Sequence, residues 1–204
     1  MKAEIRWIVV LTSICAVSAG LLGLVNSLTT APIAAARAQT TLDAVQTVLP
    51  AFDRLAGPES VRTALGEADA PPMYAAFQEG KLVGVALEVS DAGGFGGEVS
   101  YMVGLLPDGK VHALRVLGHK ETPGLGSKLA DEKFSSQFKG LVVPAEGLKV
   151  TKDGGTIQAI TGATISSRTA TRSVNQAMET LRKYLQRLPA AGAQAQPTQG
   201  GSRG

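Results

Sequence analysis

The sequence predicts an α+β protein: one N-terminal transmembrane helix followed by a small, mostly antiparallel sheet packed with helices. Three observations carry this. An uncharged apolar run opens the chain, from Trp7 to Leu28. Alternating apolar residues separated by turn signals fill the middle, and one apolar stripe at helical spacing closes it. No strand–helix–strand rhythm appears, which argues against a parallel α/β sheet.

The first run, "WIVVLTSICAVSAGLLGLVNSL", is long enough as a helix to cross about 30 Å of hydrocarbon. Lys2 and Arg6 precede it against Glu4 alone, so positive-inside bias puts residues 1–6 in the cytoplasm and the chain beyond the run on the far side. Trp7 is expected at the headgroup level. A cleaved signal peptide is the rival reading, since "APIAAARA" offers small-residue cleavage sites, but the run is long for that role. Cys15, the single cysteine, sits mid-run after Ile14, which disfavours a lipid-attachment site and leaves no disulfide or thiolate cluster.

Residues 29–70 read as a juxtamembrane helix and linker. Leu42, Val45, Val48, Leu49 and Phe52 share a helical face, Thr40 or Thr41 is placed to cap it, and Pro50 to bend or end it. "ESVRTALG" suggests a helical turn. Residues 71–188 read as the sheet-bearing domain. Val83, Val85, Leu87 and Val89 alternate as a half-buried strand, and "DAGGFGGEV" reads as a flexible loop. "SYMVGLL-PDGK-VHALRVLG" reads as a hairpin with Pro107 and Gly109 in its turn, and "LKV-TKDGG-TIQAI" as a second strand–turn–strand. Val174, Met178, Leu181, Leu185 and Leu188 mark a helix from about Ala163 to Leu188. Residues 189–204 have the composition of a disordered tail.

A formal net charge of +3 without basic blocks gives nucleic-acid binding no support. No nucleophile elbow, phosphate loop or dinucleotide fingerprint occurs, and His112 and His119 make a poor metal set, so neither catalytic residues nor a metal site is expected. Two polar clusters remain. "GHKETPGLGSKL" offers Gly124 and Gly126 for close backbone approach and Lys120 and Lys128 for charge. "TGATISS" stands where the last helix starts. Thr161 is a good N-cap there, or the unpaired N–H groups hold a phosphate beside the hydroxyls of Thr164, Ser166 and Ser167.

"HKETPGLGSKL" followed by "TGATISS" resembles the FMN-binding domain of the G subunit of Rnf electron-transport complexes, a domain shared with the C subunit of the sodium-translocating NADH:quinone oxidoreductase. The resemblance covers roughly residues 5–188. It implies that Thr164 carries FMN through a phosphoester, with Thr161, Gly162 and Ala163 completing the attachment motif and Ser166 beside it. It also implies that Glu121 to Gly126 line the flavin: Gly124, Leu125 and Gly126 at its surface, Glu121 and Thr122 holding the loop, and Lys120 or Lys128 tuning charge near the ring. Where the family's motif has an aspartate, three residues before Thr161, this chain has Gln158. Implied partners are the other membrane subunits of an Rnf-type complex, the lipid bilayer, and a flavin transferase that uses FAD and a divalent metal. The implied place is a bacterial inner membrane, crossed once, with the C-terminal domain on the periplasmic side. The quinone-reductase C subunit, a free-standing flavin-binding protein, and a non-redox anchored scaffold whose "TGATISS" merely caps a helix are the alternatives.

Overall fold

The structure, a computed structural model, describes residues 2–194 and 196–197, with side chains from 5 to 192. The chain divides between Thr40 and Thr41 into two units. In the first, helix α1 (Lys2–Val48) is already running. A window within Ile5–Val48 reaches a mean hydropathy of 2.4, and none of it is buried by protein. Trp7, Leu11, Val17, Leu22 and Leu28 are exposed, as a lipid-facing helix requires. Ser13, Thr29 and Thr30 donate their hydroxyls to carbonyls four residues back, which satisfies them without water. The expected break near Thr40 does not occur. Thr40 donates to the Ala36 carbonyl from mid-helix rather than capping a new one, and Pro32 lies inside α1.

The second unit begins with the last turns of α1, whose Ala44, Val45, Val48 and Leu49 are buried. Then follow β1 (Arg54–Ala56), α2 (Pro58–Leu65), β2 (Met73–Gln78), β3 (Lys81–Gly94), β4 (Gly97–Leu105), β5 (Val111–Gly118), α3 (Glu132–Ser135), α4 (Thr164–Tyr184) and β6 (Gln196–Pro197). The sheet order is β5-β4-β3-β2-β1-β6, antiparallel at every pairing. One sheet face packs Phe77, Val85, Leu87, Tyr101, Val103 and Leu105 with Val174, Met178 and Leu181 of α4. The other packs Ala76, Ala86 and Met102 with Ala44, Val45, Val48 and Leu49. That approach is close. A Cβ on Gly104 would stand 1.8 Å from the Val48 carbonyl oxygen.

Several expectations need correction. A bulge between Ala76 and Phe77 shifts β3, so Leu82 packs on the α4 side and Val83 on the other. "DAGGFGGEV" is not a loose loop. It is the paired end of β3 and β4, with Gly94 opposite Gly97. The "PDGK" hairpin forms as expected, with the Gly109 N–H donating to the Leu106 carbonyl at 3.0 Å. "LKV-TKDGG-TIQAI" is not a hairpin. Residues Thr151–Asp153 form a 3-10 turn, and Val150 meets Ile157 in a single parallel bridge. Helix α4 ends at Tyr184, and Leu188–Gln194 continue as a 3-10 helix with Leu188 and Ala191 buried. The expected disorder of 189–204 therefore does not describe that stretch. The expectation for residues 195 and 198–204 lies outside the described residues. Glu67 ties α4's end to α2, accepting from the Tyr184 hydroxyl and the Arg187 guanidinium, each at 2.7 Å.

Candidate functional site

Helix α4 starts at Thr164, two residues later than a Thr161 cap would place it. Its N-cap residue is Ala163, which has no side chain able to cap. Among the described residues no side chain accepts from the first-turn N–H groups, so the helix presents its positive end to the cleft. The neighbouring hydroxyls are mostly committed. Ser167 Oγ accepts from the Ile160 N–H and donates to the Ala163 carbonyl, both at 2.9 Å, which fixes the turn before the helix. Ser166 Oγ donates to Glu121 Oε2 at 2.8 Å. Thr169 donates to the Ser166 carbonyl at 2.6 Å and meets the Tyr101 hydroxyl. Burial pushes the Tyr101 phenol well above its ordinary pKa, so this buried chain of hydroxyls stays neutral. Among the described residues, Thr164 Oγ1 has no protein hydrogen-bond partner.

The loop from Glu121 to Ser127 folds against this helix end. The Thr122 carbonyl accepts from Leu125 and Ser127, and Ser127 Oγ accepts from the Gly124 N–H at 2.9 Å. Glu121 is only 6% exposed, and its Oε1 has no hydrogen-bond partner. Glycines wall its carboxylate: a Cβ on Gly126 would stand 2.3 Å from Oε2, and one on Gly94 2.6 Å from Oε1. Gly94 lies at the tip of the β3–β4 hairpin. That tip is held to α4 by Arg172, whose guanidinium donates to both carboxylate oxygens of Asp91 at 2.6 and 2.8 Å.

The Arg172 hydrogen bonds hold the Asp91 carboxyl below its usual pKa. A depressed carboxylate pKa gives stability that is present above the unfolded value and lost as pH falls through the folded one. Thermal melting of the wild type is therefore expected to fall below about pH 4. Asp91→Asn should be less stable at pH 7, by about 1 kcal/mol given Arg172's exposure, with a shallower acid slope. Parallel slopes for the two proteins would refute this.

These pieces enclose a cleft of about 360 Å³ lined by Phe95, Glu121, Thr122, Leu125, Gly126, Lys152, Gly162, Ala163, Thr164, Ile165 and Ser166. Of the sequence candidates, Glu121, Thr122, Leu125, Gly126, Gly162, Ala163, Thr164 and Ser166 meet here. Lys120 is exposed outside the lining, Gly124 turns the loop behind it, and Thr161 and Lys128 line an adjoining cavity of about 450 Å³ with Gln158. Three lining residues were not foreseen: Lys152, Phe95 and Ile165. Lys152 is the only cation of the lining, and its turn is held by Arg168, which donates twice to Asp153 at 2.7 Å. Phe95 comes from the stretch read as a loose loop. His119 has a local role, its Nδ1 accepting from the Glu121 N–H at 3.2 Å.

Residues 94–179 match the family described as FMN-binding domain. The G subunit of the ion-translocating oxidoreductase complex of Shewanella oneidensis is 39% identical over 122 residues, which cover 57% of this chain and 58% of that protein. The Pseudomonas aeruginosa protein of the same name is 36% identical over 173 residues, which cover 79% of this chain and 81% of its own length. This chain belongs to the family of G subunits of ion-translocating oxidoreductase complexes. It spans about three fifths of the length of the first of these relatives. NqrC of Shewanella oneidensis shares the fold, with a TM-score of 0.50 and 23% identity over 61% of this chain and 63% of that one. With one helix long and apolar enough to cross a bilayer among the described residues, the chain is a single-pass membrane protein.

Every residue lining the cleft, from Phe95 to Ser166, lies inside the FMN-binding match. The residues fit that cofactor. Outside α1, among the described residues, the exposed large hydrophobic side chains are Phe95, Leu125, Val142 and Ile165, and three of these four line the cleft. An apolar rim beside an uncovered helix N-terminus and a lysine suits a molecule with a flat ring at one end and a phosphate at the other.

Proposed function

We propose that this protein carries electrons through an FMN joined by a phosphoester to Thr164, as the membrane-anchored flavoprotein subunit of an Rnf-type ferredoxin:NAD oxidoreductase that translocates ions. The observation that carries the proposal is the state of the hydroxyls that α4 brings to the cleft. Ser166 is committed to Glu121, whereas Thr164, at the helix's first position, has its oxygen unclaimed. The bound flavin supplies the redox chemistry. The chain's own residues hold and orient it: the α4 N-terminus and Lys152 offset the phosphate charge, Leu125 and Gly126 lie along its surface, and the Glu121–Ser166 bond keeps the two motif loops in register.

Two further supports concern placement. Lys2 and Arg6 before the apolar run favour an extracytoplasmic domain. A covalent tether suits that side, where dissociated flavin would be lost by dilution. The partners are then other membrane subunits and a flavin transferase. The backbone at Gln158, where the family's motif has an aspartate, is fixed, because its N–H and carbonyl both pair with the Gln137 side chain, at 2.8 and 3.3 Å. The scaffold reading loses ground because no side chain of "TGATISS" caps α4.

Full-length protein made with a flavin transferase and purified from membranes should show a flavin spectrum, and its intact mass should exceed the polypeptide's by one FMN less a water. A bare polypeptide mass and a colourless preparation from the native host would overturn the proposal. Co-purification with other membrane subunits separates complex membership from a free-standing role.

A further inference from the structure

We infer that Phe95 is the aromatic cover of the flavin ring, an inference that rests on the flavin reading above. Phe95 is 73% exposed, more than any other large hydrophobic residue among those described. An isolated exposed phenylalanine needs no explanation, but this one lines the cleft together with Leu125 and Ile165. It is also held in place. Gly94 and Gly97 pair across the hairpin on either side of it. A Cβ on Gly96 would stand 2.0 Å from the Lys120 carbonyl oxygen, one on Gly94 2.6 Å from Glu121 Oε1, and one on Gly93 2.4 Å from the Arg172 guanidinium. The backbone around Phe95 is thus packed tightly against the "ETPGLG" loop and α4, while the ring itself touches water.

That combination, a fixed backbone carrying an uncovered aromatic ring at the rim of a cleft, is what a planar ligand requires. Leu125 and Ile165 supply apolar bulk but no π-face. A benzene ring stacks offset on a heteroaromatic ring and removes both faces from water. Phe95 therefore sets how much of the flavin water reaches. The tether at Thr164 and the cover at Phe95 hold opposite ends of the cofactor.

The test uses the full chain in detergent, co-expressed with a flavin transferase, as wild type, Phe95→Ala, Phe95→Leu and Phe95→Trp. Flavin load is read from in-gel fluorescence of denatured protein, where stacking has no influence. Access is read from iodide quenching of the native protein's flavin. Phe95→Ala should keep its load, while its quenching constant rises about two- to tenfold, the shift in a covered–open equilibrium expected from losing one aromatic pair. Phe95→Trp should stay at the wild-type value. If the Ala variant does not load, Phe95→Leu, which keeps the apolar volume, carries the same readout. Wild-type quenching in a fully loaded Ala variant would overturn the inference and leave the ring as a docking contact for a redox partner. Loss of load in both the Ala and Leu variants would also overturn it, since the ring would then serve attachment. A wild type without flavin would overturn the parent reading instead.

Discussion

Thr164→Val is expected to leave the chain folded and to strip it of covalent flavin. Valine matches threonine in shape, and the lost hydroxyl makes no protein hydrogen bond among the described residues. Position 164 is the first of α4, where the helix hydrogen-bond ladder does not depend on the side chain. The stability change should therefore stay within about 0.5 kcal/mol. The chemical change should be complete, because no other α4 hydroxyl at the cleft is uncommitted. On a denaturing gel under ultraviolet light the wild type should fluoresce, Thr164→Ser should retain the signal, and Thr164→Val should be dark. Fluorescence in the valine variant equal to wild type would move the tether elsewhere.

Gly104→Ala should produce the largest loss of stability of any single methyl group added to the sheet. The new Cβ would fall 1.8 Å from the Val48 carbonyl oxygen and 2.7 Å from its carbonyl carbon. Those are backbone atoms and have no rotamer to escape into. The last turn of α1 must lift, which opens the contacts of Val45, Val48 and Leu49 with Ala76, Ala86 and Met102. Overpacking of this kind costs roughly 2–3 kcal/mol, a drop in Tm of about 5–10 °C for a chain of this size. Gly118→Ala is the control. It has nothing within 4 Å of the added methyl and should melt within about 2 °C of wild type. Similar melting of the two variants would mean that α1 does not sit on β4 as described.

The elements that periodicity revealed are those with one wet face. Helix α4 shows its stripe because Arg168, Arg172 and Glu179 alternate with Val174 and Met178. Strand β2 left no trace in the sequence pattern because "MYAAFQ" is covered on both sides: Ala75 and Phe77 belong to the core shared with α2 and the closing 3-10 segment, and Ala76 to the cluster with the end of α1. Alternation disappears when both faces are dry. The continuity of α1 was missed because Thr40 and Thr41 suggested a cap, whereas Thr40 bonds backward within the helix. At the site, the two motifs marked the loop and the helix start, since their residue types carry the chemistry. Lys152 and Phe95 bore no such mark. Each reaches the cleft through a contact distant in sequence: Arg168 with Asp153, and Arg172 with Asp91, which are 81 residues apart. The Tyr101–Thr169 bond, across 68 residues, was beyond any local pattern.

The closing segment beyond α4 bears on how the protein can be handled in the laboratory. Leu188 and Ala191 are buried, a Cβ on Gly192 would touch the Phe77 ring, and Gln196–Pro197 run beside β1. Trimming the gene at Tyr184, a tempting boundary for crystallisation or for grafting a reporter, would pull these plugs from the hydrophobic interior and free the edge of β1 to pair with other molecules. An affinity handle belongs after residue 197, and a shortened version ending before Leu188 should collect in inclusion bodies rather than in the membrane fraction.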